Sequence, residues 1–253
     1  MTFQIEKQKL VLDYIKKHGK ATVAELSALF SLSNVTIRKY LNEFHEKGLV
    51  IKTHGGAISK DNNMNYEIPY SSKNHLFMNE KKRIGKAAAE MINEREAVII
   101  DAGSTAYELA RCIGNKTITV ITDDIKIAAE LAGKVNINLI ITGGKVQKNV
   151  YTAFSPETKD FLSKVHVSKV FLGADAIDIK AGVTNRTLEE AAVKTAMVAA
   201  ADRVVLMADH SKFDSKAFVH VCSLEDIDTV ISDGIPKDFA HIFNRLGTKV
   251  MLV

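Results

Sequence analysis

The stretch VAELSALFSLSNVTIRKYLNEFHEKGLVIKTHGGA, residues 23–57, carries the most specific pattern in this chain. Its apolar residues predict a helix at 23–30, a break at Ser31-Leu32-Ser33 and then a second helix. A short β-like run ends at His54-Gly55-Gly56. The buried face of the second helix is predicted to hold Val35, Ile37, Leu41 and Phe44. This order of elements is typical of a helix-turn-helix followed by a wing, the arrangement that places a helix in the major groove of DNA.

The polar side of the second helix carries residue types that contact nucleic acid. An earlier helix is predicted to end near His18-Gly19, and Ser33 stands where an N-cap starts the second helix. Arg38 can donate two hydrogen bonds to guanine, and hydroxyls near the helix start suit phosphate oxygens. The predicted DNA-binding residues on this helix and on the wing are Ser33, Asn34, Thr36, Arg38, Lys39, Lys52 and His54.

The charge of the chain is concentrated in its first part. Residues 1–60 contain 10 Lys/Arg and 5 Asp/Glu, whereas residues 61–253 contain 24 and 25. A basic first domain on a near-neutral body suits a polyanion, whose binding weakens as salt rises. Double-stranded operator DNA is therefore the expected partner.

Composition limits the remaining possibilities. A chain of 253 residues with 46% hydrophobic content can bury one large or two modest cores. No apolar run approaches the length of a membrane span, and the first residues lack a signal core, so we expect a cytoplasmic protein and no membrane partner. The two cysteines, Cys112 and Cys222, form no CxxC or Cys/His cluster. We therefore expect no metal site and no cofactor.

After a predicted linker at 59–79, the pattern changes to short apolar strands that alternate with helices. Strands are predicted at 97–100, 118–121, 138–141, 169–172, 203–207, 219–222, 228–231 and 249–253. Continuous apolar strands with intervening helices favour a parallel sheet covered on both faces. We therefore divide the chain into a DNA-binding domain at 1–58, the linker, and an effector-binding and oligomerisation domain at 80–253, with an α/β fold. The run Lys81-Lys82-Arg83 is predicted to be a solvated helix face.

Polar turns follow several of the predicted strands. In parallel sheets, ligands bind beyond the carboxyl ends of the strands. The turn Asp101-Ala102-Gly103-Ser104-Thr105 opens a helix whose first N–H groups can face an anion. Carboxylates would accept hydrogen bonds from sugar hydroxyls, and lysines would take negative charge. The effector-binding residues predicted from these turns and from the helix near them are Asp101, Gly103, Ser104, Thr105, Gly143, Gly144, Asp175, Lys194, Asp209 and Lys212.

The first domain resembles the helix-turn-helix of the DeoR family of bacterial sugar-metabolism repressors. The resemblance is carried by Ser33-x-x-Thr36-Ile37-Arg38-Lys39, Glu46-Lys47-Gly48-Leu49 and His54-Gly55-Gly56-Ala57. The family usually has Asp after its basic pair, whereas this chain has Tyr40. Its ring is expected to stack or to contact phosphate through its hydroxyl.

Residues 80–233 resemble the effector domain of the same family, which is similar to ribose-5-phosphate isomerase. The shared features are the DxGST turn, Gly143-Gly144, the run from Gly173 to Asp178, and the loop Ala208–Phe213. The resemblance adds Thr122, Asp123 and Glu190 to the effector-binding residues. The family usually has Thr-Asn where this chain has Thr122-Asp123. The additional carboxylate is expected to bind a further hydroxyl of the effector, or the effector is expected to be unusual for the family.

Three functions are compatible with these patterns. The first is a transcriptional regulator, expected to be a repressor of a sugar or polyol catabolic operon, that binds DNA as a homodimer or homotetramer and senses a phosphorylated sugar. The second is a sugar-phosphate isomerase with an added DNA-binding domain, since Asp175, Asp178 and Glu190 resemble that enzyme's acids and base. However, Gly182-Val183-Thr184-Asn185 lacks the lysine and glycines expected beside them. The third is an architectural DNA binder. We expect a regulator and not an enzyme.

Overall fold

The computed structural model describes residues 2–46, 49–53, 55–59, 77–147 and 150–253. The chain divides into two compact units, Met1–Tyr66 and Glu67–Val253. Residues 60–76, most of the predicted linker, lie outside the described residues, as do Lys47, Gly48 and His54. The predicted domain boundaries at 58 and 80 therefore stay predictions.

The first unit contains the predicted helix-turn-helix. Its elements are α1 (Thr2–His18), β1 (Lys20–Thr22), α2 (Val23–Phe30), α3 (Asn34–Glu46), β2 (Val50–Thr53) and β3 (Gly56–Ser59). The observed α2 coincides with the predicted helix at 23–30. Its capping box pairs Thr22 with Glu25, and each donates a backbone N–H to the other's side chain, at 2.7 and 3.1 Å. Ser33 caps α3 as predicted, because its Oγ accepts the Thr36 N–H at 3.1 Å.

The buried face of α3 differs from the prediction at one position. Ile37 is fully buried and Leu41 and Phe44 nearly so, whereas Val35 is 77% exposed. Residues two apart on a helix point about 200° apart, so Val35 and Ile37 cannot both face the core. The expectation that Tyr40 reaches DNA is also wrong. Its side chain is only 3% exposed and packs beside Phe44 in the core.

A small antiparallel sheet with strand order β1-β3-β2 completes the first unit. β3 can pair closely with β1 because residue 56 is glycine. A Cβ at Gly56 would lie 2.1 Å from the Ala21 carbonyl oxygen, far inside van der Waals contact. The sheet holds β2 beside α3 as the predicted wing.

The second unit alternates strands with helices as predicted. Its helices are α4 (Met78–Glu90), α5 (Ser104–Cys112), α6 (Ile125–Leu131), α7 (Pro156–Leu162), α8 (Leu188–Ala199) and α9 (Lys237–Leu246). Its strands are β4 (Ala97–Ile100), β5 (Ile118–Thr122), β6 (Ile137–Ile141), β7 (Lys145–Val146), β8 (Ala153–Phe154), β9 (Lys169–Gly173), β10 (Ala176–Asp178), β11 (Gly182–Asn185), β12 (Val204–Met207), β13 (Val219–Cys222), β14 (Thr229–Ser232) and β15 (Lys249–Leu252).

A parallel sheet with the order β15-β14-β12-β9-β4-β5-β6 forms the centre of this unit. One core lies on the face that carries α4, α5 and α6, and includes Ile84, Leu109 and Ile127. The other lies on the face that carries α7, α8 and α9, and includes Met197 and Phe239. The predicted α/β class is confirmed, with both faces of the sheet covered.

Two smaller antiparallel pairings were not predicted. The strand at 219–222 was assigned to the parallel sheet, but β13 pairs with β11 in a separate sheet of order β10-β11-β13. β7 and β8 form a hairpin beyond the end of β6. The amphipathic α9 was also missed. Within the part of the chain that the structure describes, no helix is both long and apolar enough to cross a bilayer.

Candidate functional site

The start of α3 presents a polar surface to solvent. Ser33, Asn34, Arg38 and Lys39 are exposed, and Thr36 is half-buried with its hydroxyl 2.8 Å from Ser33 Oγ. The strand β2 carries the half-buried Lys52. The structure thus brings the described members of the predicted DNA-binding set to the helix start and the wing, and Val35 adds an apolar side chain among them. His54 lies outside the described residues.

The order of strands reverses between β4 and β9. After β4 the chain adds β5 and β6 on one side, and then β9, β12, β14 and β15 on the other. Such a switch point leaves a crevice at the carboxyl ends of the two central strands, where ligands bind in sheets of this kind. Asp101 directly follows β4, and Gly173 is the last residue of β9.

A buried ion pair occupies this switch point. Lys194 of α8 donates a short hydrogen bond to Asp101 Oδ2, and the same oxygen accepts the Gly173 N–H at 2.8 Å. Burial disfavours the ammonium, but Asp101 and then Glu190 outweigh burial and raise the pKa of Lys194. The sequence predicts that Lys194 pairs with the negative charge of a ligand. In the structure its ammonium is already neutralised by Asp101.

Two adjacent carboxylates follow β5. Asp124 caps α6 by accepting the Lys126 and Ile127 N–H groups at 2.7 and 3.1 Å, and it also accepts the Gly103 N–H at 3.1 Å. Asp123 is 2% exposed, and its Oδ1 has no hydrogen-bond partner among the described residues. Burial, and then the charge of Asp101, raise the pKa of Asp123 well above its ordinary value. Thr122 is also fully buried and accepts the Asp124 N–H at 3.2 Å.

The turn after β4 keeps the open helix start that was predicted. Gly103 has φ +120°, and a Cβ there would meet nothing within 4 Å. No side chain of the described residues caps α5, so the first N–H groups of this nine-residue helix, at Ser104 and Thr105, are available to an anion. Ser104 is buried and Thr105 is half-buried.

The loop after β6 leads into the β7–β8 hairpin and lies against β5. Gly143 and Gly144 have φ of +72° and +113°, and a Cβ at Gly144 would lie 2.4 Å from the Phe154 backbone. The hairpin is attached to the residues that follow β5, because the Ala153 N–H donates to the Asp123 carbonyl at 2.8 Å. Three buried side-chain oxygens of this loop and hairpin have no hydrogen-bond partner in the described residues: Thr142 Oγ1, Gln147 Oε1 and Thr152 Oγ1. None of these residues was in the predicted set.

The carboxylates that resemble those of an isomerase have separate structural roles. Asp175 forms an ion pair with Arg186, with 2.5 Å between Oδ1 and Nη1, and both side chains are buried. Asp178 accepts the Lys180 and Ala181 N–H groups at 2.9 and 2.7 Å and so caps a turn. Glu190 is buried and accepts a 2.7 Å hydrogen bond from the Asn185 amide. Arg186 and Asn185 were not in the predicted set.

The loop after β12 carries the last predicted pair. Asp209 accepts hydrogen bonds from the Ser211 N–H, at 3.1 Å, and from the Ser211 hydroxyl, whereas its Oδ2 has no described partner. Burial opposes ionisation of Asp209, yet Lys212, Ser211 and Lys81 outweigh it and lower the pKa of this carboxyl. The prediction that Lys81 is solvated is wrong, because its side chain is 4% exposed and its charge acts on Asp209.

Six buried oxygens without hydrogen-bond partners therefore gather at one edge of the described sheet. They follow strands β4, β5, β6 and β12 or belong to the hairpin: Asp101 Oδ1, Asp123 Oδ1, Thr142 Oγ1, Gln147 Oε1, Thr152 Oγ1 and Asp209 Oδ2. Buried polar atoms are normally paired, so these carboxylate, amide and hydroxyl oxygens, together with Nε and Nη1 of Arg186, which form no hydrogen bond within the described residues, indicate a place where a ligand or ordered water forms hydrogen bonds.

Comparison with known proteins agrees with this two-part organisation. The family described as "DeoR-like helix-turn-helix domain" matches residues 7–63, and the family described as "DeoR C terminal sensor domain" matches residues 77–234. Among solved structures, the chain has a distant likeness to ribose 5-phosphate isomerase A from Methanocaldococcus jannaschii. That likeness has a TM-score of 0.41 and 17% identity, over 54% of this chain and 55% of that one.

Curated relatives match along almost the whole chain. The HTH-type transcriptional repressor GlcR of Bacillus subtilis is 31% identical over 99% of this chain and 96% of its own length. The glycerol-3-phosphate regulon repressor of Escherichia coli is 29% identical over 92% of each chain. The L-fucose operon activator of Haemophilus influenzae is 28% identical over 90% of this chain and 91% of its own length.

These relatives are regulators of transcription, and both domain families match in the order expected for one. The protein is accordingly a DNA-binding transcriptional regulator and not an enzyme, and the likeness to the isomerase concerns the fold alone. The chain belongs to the DeoR family of transcriptional regulators.

Proposed function

We propose that this regulator represses a sugar or polyol catabolic operon and that a phosphorylated sugar, bound at the carboxyl edge of the parallel sheet, controls its hold on operator DNA. The observation that carries the proposal is the cluster of six unpaired buried oxygens at that edge. A polyhydroxy compound presents several O–H donors in a small volume, which is what unpaired acceptors require.

The anionic end of the ligand is assigned to the start of α5. The N–H groups of Ser104 and Thr105 have no side-chain cap, and Gly103 leaves open space beside them. A phosphate fits a helix start because several N–H groups and the positive end of the helix dipole act on it together. Lys212, half-buried in the loop after β12, is a second group for the negative charge.

The hydroxyl-bearing part of the ligand is assigned to the carboxylates. Asp101 and Asp209 each keep one oxygen for internal hydrogen bonds and leave the other without a described partner. This arrangement fixes each carboxylate in place while one acceptor remains for a sugar hydroxyl. Preorganised acceptors bind a ligand without further loss of side-chain freedom.

The DNA-binding end of the proposal depends on the exposed start of α3. We assign the exposed Arg38 to a guanine edge, and the exposed Ser33 and Lys39 to phosphate oxygens. Two recognition helices must be paired to read half-sites about 34 Å apart, so the working form is at least a homodimer, with a homotetramer as the larger option. We assign the pairing to residues 80–253.

Control requires only that the effector bind the DNA-competent and DNA-incompetent states unequally. By thermodynamic linkage, bound operator DNA then lowers the affinity for the effector, and bound effector lowers the affinity for operator DNA, by the same factor, typically about 5–150-fold. Repression is proposed because GlcR and the glycerol-3-phosphate regulon protein are named repressors, although one relative is named an activator.

A thermal-shift screen of the full-length protein tests the effector class. The panel contains phosphorylated pentoses, hexoses and alditols, with each unphosphorylated parent as the matched control. We expect one phosphorylated compound to raise the melting temperature and to release bound operator DNA in a gel-shift assay. The Lys212→Ala variant should keep its DNA affinity but need more effector for release. A panel in which no phosphorylated compound acts, or in which the parents act equally, overturns the proposal.

A further inference from the structure

A second group of polar atoms lies where the β7–β8 hairpin meets the end of β5. It comprises the side chains of Asp123, Thr142, Gln147 and Thr152, which we call the hairpin subsite. Each carries a buried oxygen without a hydrogen-bond partner in the described part of the chain. Thr152 is fully buried.

Backbone contacts show that these four residues are neighbours. Thr152 forms an antiparallel bridge with Asp124, and the Thr152 carbonyl accepts the Gln147 N–H at 2.8 Å. The Ala153 N–H donates to the Asp123 carbonyl at 2.8 Å. Thr142 is attached beside them, because its N–H donates to the Thr122 carbonyl at 3.0 Å. Three separate segments of the chain therefore meet at the end of β5.

Carboxyl groups dominate the surroundings of Asp123. Among the described residues, the strongest charges that act on it are those of Asp101, Asp124, Glu190 and Lys194, and Lys194 is already paired with Asp101. Asp124 is satisfied by three backbone N–H groups. Asp123 is thus a buried carboxyl group whose ionised form has no cation of its own among the described residues, and such a charge is unfavourable unless a cation joins it.

From the unpaired oxygens and this charge, we propose that the hairpin subsite binds a protonated amino group, so that the effector is an amino sugar phosphate. The inference rests on the proposed function, because it describes a further group of the same ligand. An ammonium group supplies three N–H donors and one positive charge, and so it can satisfy several acceptors and neutralise Asp123 together. A hydroxyl in the same place supplies one donor and no charge.

The test uses calorimetric binding to the full-length protein with ligands that differ at one group. Glucosamine 6-phosphate and glucose 6-phosphate differ by an amino group against a hydroxyl, and galactosamine 6-phosphate and galactose 6-phosphate repeat the comparison in the epimer. N-Acetylglucosamine 6-phosphate keeps an N–H donor but loses the charge. We expect an amino form to bind at least about tenfold more tightly than both of its neutral counterparts.

The Asp123→Asn variant assigns the preference to the subsite. It keeps the size of the side chain and removes its charge. The ratio of the affinities for the amino form and the hydroxyl form should therefore fall to about onefold to threefold, while the affinity for the hydroxyl form stays unchanged. Thr152→Val is a second variant that removes one acceptor and should weaken the amino form by a smaller factor. Melting curves of both variants establish that they are folded.

The possible outcomes separate this inference from the proposed function. Equal or tighter binding of the hydroxyl form overturns the amino-group assignment and leaves the phosphorylated effector in place. Binding of a different, amine-free phosphorylated compound from the wider panel has the same meaning. An amino preference that survives Asp123→Asn removes the hairpin subsite as its cause. Failure of every phosphorylated compound overturns both proposals.

Discussion

Lys194 and Asp101, which are 93 positions apart in the chain, form a buried ion pair at the point where the order of the parallel strands reverses. The pair joins α8 to the end of β4, and the Gly173 N–H attaches β9 to the same carboxylate. It therefore connects two central strands and a helix from one face of the sheet.

Replacement of Lys194 by Met should destabilise the second unit by about 3–5 kcal/mol, because Asp101 then becomes a buried carboxylate without a cation. Urea unfolding at neutral pH measures the loss. Lys216→Met is the control, since Lys216 is half-exposed and lies 3.6 Å from Asp178, and it should cost less than about 1 kcal/mol. Equal effects of the two substitutions would show that the buried pair has no special weight.

The raised pKa of Asp123 predicts the direction of a pH effect. A carboxyl group whose pKa is higher in the folded state than the ordinary 3.8 favours folding while it is protonated, and this contribution is lost as pH rises through the folded-state value. Asp123→Asn removes the effect. The variant should therefore gain stability relative to the parent as pH rises from below 3.8 to neutrality. Parallel denaturation curves across this range provide the measurement, and a constant difference contradicts the assignment.

Arg38→Ala should abolish sequence-specific binding to operator DNA and leave the oligomeric state unchanged. The exposed guanidinium is the best-placed group for bidentate hydrogen bonds to guanine, each such contact being worth about 1–3 kcal/mol of discrimination. Gel-shift titrations with operator and scrambled DNA measure the discrimination. Lys39→Ala is the comparison, and it should lower the affinity for operator DNA and for scrambled DNA by similar factors. Retained discrimination in Arg38→Ala excludes this residue as the main reader.

Val35 and Ile37 offer a matched pair on the recognition helix. Ile37→Ala should cost the first unit about 2–5 kcal/mol because it opens a cavity in the core, whereas Val35→Ala should change stability by less than about 0.5 kcal/mol. Hydrogen exchange of the amides in α3 reports the difference. A strongly destabilising Val35→Ala would contradict the assignment of Val35 to the exposed face of α3.

Gly55 and Gly56 form a second matched pair, in the wing. A Cβ at Gly56 would collide with the Ala21 carbonyl, whereas one at Gly55 meets nothing within 4 Å. Gly56→Ala should therefore destabilise the first unit by about 1–3 kcal/mol or more, and Gly55→Ala should not. The rate of limited proteolysis of the first unit measures the difference, and similar rates for the two variants would contradict the close pairing of β1 and β3.

The strongly periodic elements could be predicted from the sequence because local patterns determine them. The helix at 23–30, the N-cap at Ser33 and the apolar strands of the parallel sheet all carry short-range signals. The face of α3 was assigned incorrectly at Val35, because two apolar residues two positions apart cannot share a helical face. Tyr40, three residues after Ile37, takes the core position instead.

The candidate site was predictable only where it follows the parallel strands. Asp101, Asp123 and Asp209 stand at strand ends, so the topology of the sheet brings them to one edge. Gln147, Thr152 and Arg186 come from antiparallel segments whose position depends on long-range pairing, and no local pattern indicated them. The internal pairing of Lys194 was likewise invisible in the sequence, since its partner lies 93 positions away.

The position of β4 between β5 and β9 has a consequence for synthesis on the ribosome. The chain completes β4, β5 and β6 long before Lys169 begins β9, so one edge of β4 has no neighbour while translation continues. That edge contains Val98, Ile99 and Ile100, an apolar run able to pair with another nascent chain. Chains truncated before residue 169 should therefore aggregate, whereas the full-length chain should not.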